Sequence, residues 1–507
     1  MSKRVLSLIV LTLAALLVLA ACGGQATKAP AAATKAPAAA TKAPAVAATK
    51  APAAAATQAP AATKAPTLSG NPIRGGVLYD NWIVALGVEA PKGDQPLWKT
   101  QTTNTRTGAD TWRCKECHGW DYKGKDGAYG SGSHKTGFVG VLQVAGKDPN
   151  TILAAMKGST NPDHDFSKVM DEQALINLSL FMSKNLVDDA KLVSDKKAPI
   201  NGAADKGKSV FTEHCVNCHG PRGTALNFAD EKAPEYVGTL GKDNPWEFLH
   251  KARFGQPGVK DMPSLVDVGL KDQEYADLLA FVQTLPTESP VTEGGVLYDN
   301  WIKALGLKAP KGDQPLWKTQ TTNTRTGADT WRCKECHGWD YKGAAGAYGS
   351  GSHKTGFKGI FASASLSEAD IIAWLNGTKS ADHNFSAYFK DPQYKMLAAF
   401  IKGGMADMSA FINKDKTIKG GNLAHGKELY NGVCKVCHGE DGKAIAFGDD
   451  KANPQYVGTI ASDNPWEFWH KTSVGQPGKA MAAGLNLDWK PQDFADLLTY
   501  AQTLPTK

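Results

Sequence analysis

Four short runs in this 507-residue chain share one pattern, in which two cysteines stand three positions apart and a histidine directly follows the second. A C-x-x-C-H run is typical of covalent haem attachment, because the two thiols form thioethers with the porphyrin vinyl groups and the histidine binds the iron. Four runs therefore predict four covalently bound haem c groups, attached through Cys114 and Cys117, Cys215 and Cys218, Cys333 and Cys336, and Cys434 and Cys437, with His118, His219, His337 and His438 as proximal ligands.

Two other kinds of site use the same cysteine spacing. A zinc half-site and a redox-active C-x-x-C pair both need two cysteines, but neither needs a following histidine. Every one of the four runs carries that histidine, and together they use eight of the nine cysteines. The haem interpretation is therefore favoured, and no cysteine remains for a disulfide framework or a catalytic thiol.

The ninth cysteine, Cys22, ends an N-terminal export signal. Lys3 and Arg4 precede an apolar run that stops at Ala21, which is the pattern of an exported protein rather than of a spanning helix. The residues ending in Cys22 resemble the lipobox of bacterial lipoproteins. That resemblance implies that residues 1–21 are a signal peptide and that Cys22 carries lipid, whereas an ordinary secretory signal or an uncleaved anchor is the alternative.

Residues 22–70 consist almost entirely of Ala, Thr, Lys and Pro, and we expect them to form a disordered tether. Residues 1–66 account for the formal net charge of +7, because they hold seven basic residues and no acidic one. The rest of the chain then has 50 basic and 50 acidic residues, so its charge gives no argument for a nucleic-acid partner. Acyl anchoring predicts a place at the outer face of the cytoplasmic membrane or elsewhere in the cell envelope.

The body of the chain is a tandem duplication. Residues 75–82 return 219 positions later as 294–301 with the same sequence, and residues 93–124 reappear unchanged as 312–343. Each copy, which we call a block, divides again at its two haem motifs. The predicted modules follow in A-B-A-B order: A1 at 71–192, B1 at 193–288, A2 at 289–412 and B2 at 413–507.

The B modules resemble class I cytochrome c domains over their whole length. In B1 the resemblance rests on an amphipathic run at 203–211, the haem motif, a proline-capped helix beginning near Asn244, the Met262 loop, and a closing helix at 271–285. It implies a mainly α fold with four small cytochrome c-like helical domains after the tether. The A modules are similar more loosely, since each has a long leader before its cysteines, for which docking between modules is the simplest role.

The resemblance also implies distal iron ligands in the B modules. Apart from Met1, only Met262 and Met481 are related by the 219-residue repeat, and both fall where the cytochrome c family carries its distal methionine. The family therefore implies a His/Met ligand pair at both B haems.

The corresponding loop of each A module holds a histidine, His164 or His383, just before the closing helix. Imidazole is a strong iron ligand, so we expect bis-histidine haems in the A modules. The rival pair is His134 and His353, which follow the haem motif closely and could instead bind a haem propionate. Because thioether ligation raises the reduction potential, the A haems should lie below the B haems.

A haem with two strong axial ligands mainly transfers electrons. The sequence therefore predicts an exported, membrane-anchored tetrahaem electron carrier. Its expected partners are a membrane quinol-oxidising complex or other redox proteins on one side, and a terminal oxidase or an extracellular acceptor on the other. The alternative is a multihaem oxidoreductase that resembles thiosulfate dehydrogenases and has one catalytic haem. A third possibility, an adhesin made of packed repeats, would not explain the four haem motifs.

Overall fold

The computed structural model of this chain describes residues 67–229, 232–259, 262–448 and 452–507. The predicted signal peptide, Cys22 and nearly all of the tether lie outside these ranges. Within them the regular structure is helical, with isolated β-bridges and no strand, which confirms the mainly α prediction. None of the helices in this part of the chain is long and apolar enough to cross a membrane.

Each A module contains four α-helices joined by short 3-10 turns. In A1 they are α1 (Pro72–Leu86), α2 (Cys114–His118), α3 (Pro149–Met156) and α4 (Glu172–Lys184). In A2 they are α11 (Pro290–Ala304), α12 (Cys333–His337), α13 (Glu368–Leu375) and α14 (Asp391–Gly403).

Each B module is shorter than an A module and contains more α-helices, six in B1 and five in B2. B1 contains α5 (Ala204–His214), α6 (Val216–His219), α7 (Val237–Asp243), α8 (Pro245–Phe254), α9 (Leu265–Val268) and α10 (Asp272–Val282). B2 contains α15 (Leu423–Leu429), a wider turn of helix at Tyr430–Cys434, α16 (Lys435–His438), α17 (Val457–Asp463), α18 (Pro465–Val474) and α19 (Pro491–Ala501).

Local sequence signals determine where several of these helices begin. Helix α8 has proline at its first position, and the side chain of Asn244 accepts a hydrogen bond from the Glu247 backbone N–H. Asp171 caps α4 in the same way through the Ala174 N–H. The predicted start near Asn244 agrees with the structure, because capping depends only on neighbouring residues.

The first and last helices of every module cross at a glycine. A β-carbon added at Gly75 would lie 2.1 Å from the carbonyl oxygen of Asn177, so the two backbones approach more closely than any side chain allows. The same contact, at 1.9 Å, joins Gly207 to Asp277, Gly294 to Met396 and Gly426 to Asp496. The A and B modules therefore share the helix crossing on which their cores are built.

Within each block the A and B modules pack through α1 and α8, or α11 and α18. His250 of α8 is fully buried, and its Nε2–H donates to the Gly76 carbonyl oxygen while its Nδ1 accepts from the Tyr122 hydroxyl. Burial lowers the pKa of His250 to about 3, so the ring is neutral, as these two bonds require. His470 repeats both bonds in the second block, where it is likewise fully buried.

The first block meets the second through B1, which contacts both B2 and the first helix of A2. Helix α6, which ends at His219, lies against the Tyr430–Cys434 turn and the 3-10 turn Gly484–Leu487 of B2. The buried Asn486 amide donates to the Thr224 carbonyl oxygen at 2.7 Å and to the Ser289 hydroxyl at 2.8 Å. The haem motif of B1 is thereby placed beside the segment that leads into the haem motif of B2.

Candidate haem-binding sites

The haem-motif cysteines of A1 lie on α2, which is a single helical turn. An ion pair between the preceding residue and α1 holds the start of this turn in place. Arg113, the residue before Cys114, forms an ion pair with the buried Asp80 carboxylate of α1 at 2.8 Å. Burial raises the pKa of both the Cys114 and Cys117 thiols to about 12, and it raises the pKa of Cys215 and Cys434 equally. Cysteines that attack disulfides have a lowered pKa, so these buried thiols do not resemble a redox-active pair.

The proximal histidines of the A modules have one ring nitrogen occupied. His118 Nδ1 lies 2.7 Å from the Val139 carbonyl oxygen, and His337 Nδ1 lies 2.7 Å from the Lys358 carbonyl oxygen. A carbonyl can only accept, so Nδ1 carries the proton and Nε2 is left with the free lone pair that a metal needs. Burial lowers the pKa of both histidines to about 4, which favours the neutral, ligating form.

A second histidine ring faces each of these. The ring centres of His118 and His164 are 6.2 Å apart and their planes meet at 76°. The rings of His337 and His383 repeat this arrangement at 6.1 Å and 71°. Since a bond from imidazole nitrogen to a metal is about 2 Å, two rings on opposite sides of one iron have centres about 6 Å apart. The spacing in both copies thus fits an iron held between the two imidazoles.

The rival histidine has different neighbours. His134 stacks on Tyr129 with ring centres 4.7 Å apart, and its Nδ1 lies 3.8 Å from the carboxylate of the buried Glu116. Its Nε2 lies 3.5 Å from the Arg106 guanidinium. His353 has the same set of neighbours in A2. These contacts place His134 in a charged cluster with Glu116 and Arg106. The histidine that faces His118 is therefore His164 and not His134.

The predicted proximal histidines of the B modules are half-buried, with their Nδ1 atoms shielded from solvent. His219 Nδ1 and His438 Nδ1 have no hydrogen-bond partner among the residues that the structure describes. Burial lowers the pKa of both, to about 4 for His219, which favours the neutral ring. Neutral imidazoles beside paired cysteines match the donor set that haem c needs.

Both candidate methionines lie in the loop that follows α8 or α18. The carbonyl oxygens of Met262 and Met481 lie against Gly255 and Gly475, the glycines that end these helices. Met481 is half-buried and lines a small cleft together with residues of B1 and A2. Their role as distal ligands stays a prediction.

Sequence reasoning missed the way in which the leader of each A module contacts the distal loop. The whole leader before the cysteines was expected to dock one module against another, and its helix α1 does pack against α8 of B1. Residues 93–113, which we call the strap, form the second part of the leader. Their hydrogen bonds instead stay within A1, where Gln95 Nε2 donates to the Asp163 carbonyl oxygen at 2.7 Å. The available signal was the unchanged repetition of residues 93–124, which indicated a shared role without giving the partner.

Comparison with known proteins gives family matches in both B modules. Residues 202–282 match the family model described as cytochrome c oxidase, cbb3-type, subunit III, and residues 423–505 match the cytochrome c model. Among solved structures, the chain is similar to thiosulfate dehydrogenase (TsdBA) from Marichromatium purpuratum in its as-isolated form. The identity is 16%, the match covers 76% of this chain and 86% of that one, and the TM-score of 0.21 is too low to bear on function.

Proposed function

We propose that this chain, a multidomain c-type cytochrome, is a tetrahaem electron carrier that is exported and anchored in a membrane through lipid on Cys22. Cytochrome c domains imply covalently bound haem c. The proposal extends this to one haem at each of the four motifs. The A haems have His164 and His383 as distal ligands, and the B haems have Met262 and Met481.

The observation that carries the proposal is the pair of facing imidazoles in each A module. The ring centres of His118 and His164 are 6.2 Å apart, so the two imidazoles would fill both axial positions of an iron between them. A six-coordinate haem supplies one-electron transfer without opening a site for a substrate. The same geometry at His337 and His383 supports the same role for A2.

The ligand sets give the chain two kinds of electron-transfer site. Methionine ligation raises the potential, so the B haems accept electrons more readily than the A haems. The A-module histidines are held neutral by burial, which keeps the imidazole lone pairs available at ordinary pH.

The proposed place of action is the outer face of the cytoplasmic membrane or the cell envelope beyond it. Residues 22–70 would act as a spacer between the lipid and the folded modules. A membrane quinol-oxidising complex or another redox protein would donate electrons, and a terminal oxidase or an extracellular acceptor would receive them.

Carbon monoxide binding to the reduced, full-length protein tests the proposal. Carbon monoxide needs a vacant or weakly held axial position, so a carrier with four six-coordinate haems should bind almost none. Binding of one equivalent per chain would contradict the carrier role and favour an oxidoreductase with one catalytic haem. Mass spectrometry of the same sample should show four covalently attached haems, and a smaller number would contradict the tetrahaem assignment.

A further inference from the structure

The strap joins the two parts of each A module that carry the candidate axial ligands. Its first part is the 3-10 turn Pro96–Thr100, which lies against the 3-10 turn Pro162–His164. Its last part is the 3-10 turn Gly108–Trp112, which ends two residues before Cys114. The strap therefore runs from the segment that carries the distal histidine to the segment that carries the haem-attachment cysteines.

A single buried residue connects these two ends, through its side chain on one side and its backbone on the other. Gln95 is only 4% exposed, and its Nε2 donates to the carbonyl oxygen of Asp163, the residue before His164, at 2.7 Å. Its backbone N–H donates to the Thr111 hydroxyl at 2.9 Å, three residues before Cys114. Its Oε1 accepts from the Leu97 N–H and caps the first turn of the strap. Gln95 therefore bonds to both ends, with no polar atom left over.

Aromatic packing supports the same connection. Trp112 of the strap packs edge-on against Phe166 with ring centres 6.0 Å apart, and Phe166 contacts the His164 ring at 5.0 Å. The Trp112 indole N–H donates to the Gly93 carbonyl oxygen, which closes the strap on itself. The loop with the distal histidine thus has a hydrogen bond on one side and a stack of rings on the other.

The second copy repeats each of these bonds. Gln314 is 4% exposed, donates to the Asp382 carbonyl oxygen at 2.6 Å, and has its backbone N–H on the Thr330 hydroxyl at 2.9 Å. The Asp382 carbonyl precedes His383 as the Asp163 carbonyl precedes His164. The chain therefore contains two independent examples of one arrangement.

We propose that Gln95 and Gln314 are positioning residues that hold His164 and His383 in place as distal ligands. The inference rests on the bis-histidine assignment proposed above. Without the Gln95 amide donor, the backbone at Asp163 could move away from the strap, and the His164 imidazole would move with it. The strap thus keeps the sixth position closed and prevents a small ligand from entering the A haems.

The test uses Gln95→Glu in the full-length holoprotein. Glutamate has the size of glutamine and keeps the acceptor for the Leu97 N–H, but it lacks the donor and sets a carboxylate against the Asp163 carbonyl. Gln101→Glu is the matched control, since Gln101 lies in the same strap and its side-chain amide bonds to the backbone of the neighbouring Thr103 and Asn104. We measure carbon monoxide binding to the reduced protein and the high-spin fraction of the ferric protein.

The expected result for Gln95→Glu is a rise from almost no bound carbon monoxide toward one equivalent per chain, together with a new high-spin signal. Gln101→Glu should behave as the wild type, and Gln95→Glu with Gln314→Glu should approach two equivalents. Unchanged binding and spin state in Gln95→Glu would overturn the inference, as would loss of the A1 haem itself, which would indicate a structural role. A wild-type protein without bis-imidazole haems would instead disprove the ligand assignment.

Discussion

At the scale of residues, the angle between the two imidazole planes gives a spectroscopic consequence. Each imidazole raises the energy of one of two iron d orbitals, and which one depends on the plane of the ring. In the proposed bis-histidine haems, planes at 76° and 71° would raise both orbitals to a similar extent and make them nearly equal in energy. Near-equal orbitals give a low-spin ferric haem a strongly anisotropic magnetic signal.

We therefore predict that electron paramagnetic resonance of the oxidised protein contains two highly anisotropic low-spin signals from A1 and A2. His164→Ala should remove one of them and His383→Ala the other, while His134→Ala should remove neither. A moderately anisotropic spectrum, typical of parallel imidazole planes, would contradict the geometry of both sites.

A buried ion pair in the first block gives a second prediction at this scale. Arg253 of B1 and Asp189 of A1 are both almost fully buried, and the guanidinium lies 2.6 Å from the carboxylate. In the second block a buried Met408 stands 219 positions after Asp189, so A2 has no carboxylate there. The first block therefore depends on a charge pair that the second block does without.

Arg253→Ala should destabilise the first block by about 3–5 kcal/mol, because it leaves the Asp189 carboxylate buried and unpaired. Arg253→Met with Asp189→Met should recover most of that loss, since apolar side chains of similar volume can replace a buried pair. Guanidinium unfolding followed by tryptophan fluorescence measures both. An equal loss of unfolding free energy in the single and double variants would show that Arg253 stabilises the first block by packing and not by its charge.

At the scale of elements, α1 and α8 are held together by a carboxylate that sits between two cations. Asp80 of α1 contacts Lys251 of α8 at 2.6 Å and Arg113 at 2.8 Å. Burial opposes ionisation of Asp80, but the ammonium and guanidinium groups outweigh it and hold its pKa below the usual range. A carboxyl with a lowered pKa contributes stability above its unfolded pKa of about 3.9, and this is lost as the pH falls through the folded value.

Lys251→Met removes the closer cation, so the pKa of Asp80 should rise and the acid transition of the first block should move to higher pH. The exposed Lys206 provides the control, because Lys206→Met should leave the transition where it is. An acid titration followed by tryptophan fluorescence checks this, and a shift to lower pH in Lys251→Met would contradict the assigned role of Lys251.

The elements also show how far the sequence could be interpreted. Haem motifs, the proline-started α8 and the closing α10 are local patterns, and each was found close to its predicted position. The hydrogen bond from Gln95 to Asp163 spans 68 residues, and the bond from Asn486 to Thr224 spans 262. Such pairs depend on how the helices cross in three dimensions, and nothing in a single sequence identifies the partner.

At the scale of the whole molecule, the two blocks are joined by residues that the repeat does not share. Asn486 of B2 donates to the Thr224 carbonyl oxygen of B1 and also contacts Ser289 and Thr292 at the start of A2. Asp267, Gly70 and Ile73 stand at the positions of the first copy that correspond to Asn486, Ser289 and Thr292. This buried polar cluster is therefore specific to the contact between blocks. Because its groups are satisfied by each other, removing one leaves the others without partners.

Asn486→Ala should weaken the contact between blocks by about 1–3 kcal/mol, the usual effect of leaving buried polar groups unpaired. Hydrogen exchange should then increase at residues 220–225 and 289–296 without a change in α1 or α4. Asp267→Ala is the matched control and should leave these segments protected. Faster exchange throughout both blocks would indicate general destabilisation instead.

The proposed alternation of ligand sets is tested most directly by a potentiometric titration of the full-length protein, followed by visible and near-infrared spectroscopy. Four one-electron haems should appear, two of lower potential with bis-imidazole bands and two of higher potential with methionine bands. Fewer than four haems, four haems of one ligand type, or a high-spin haem at any potential would contradict the account.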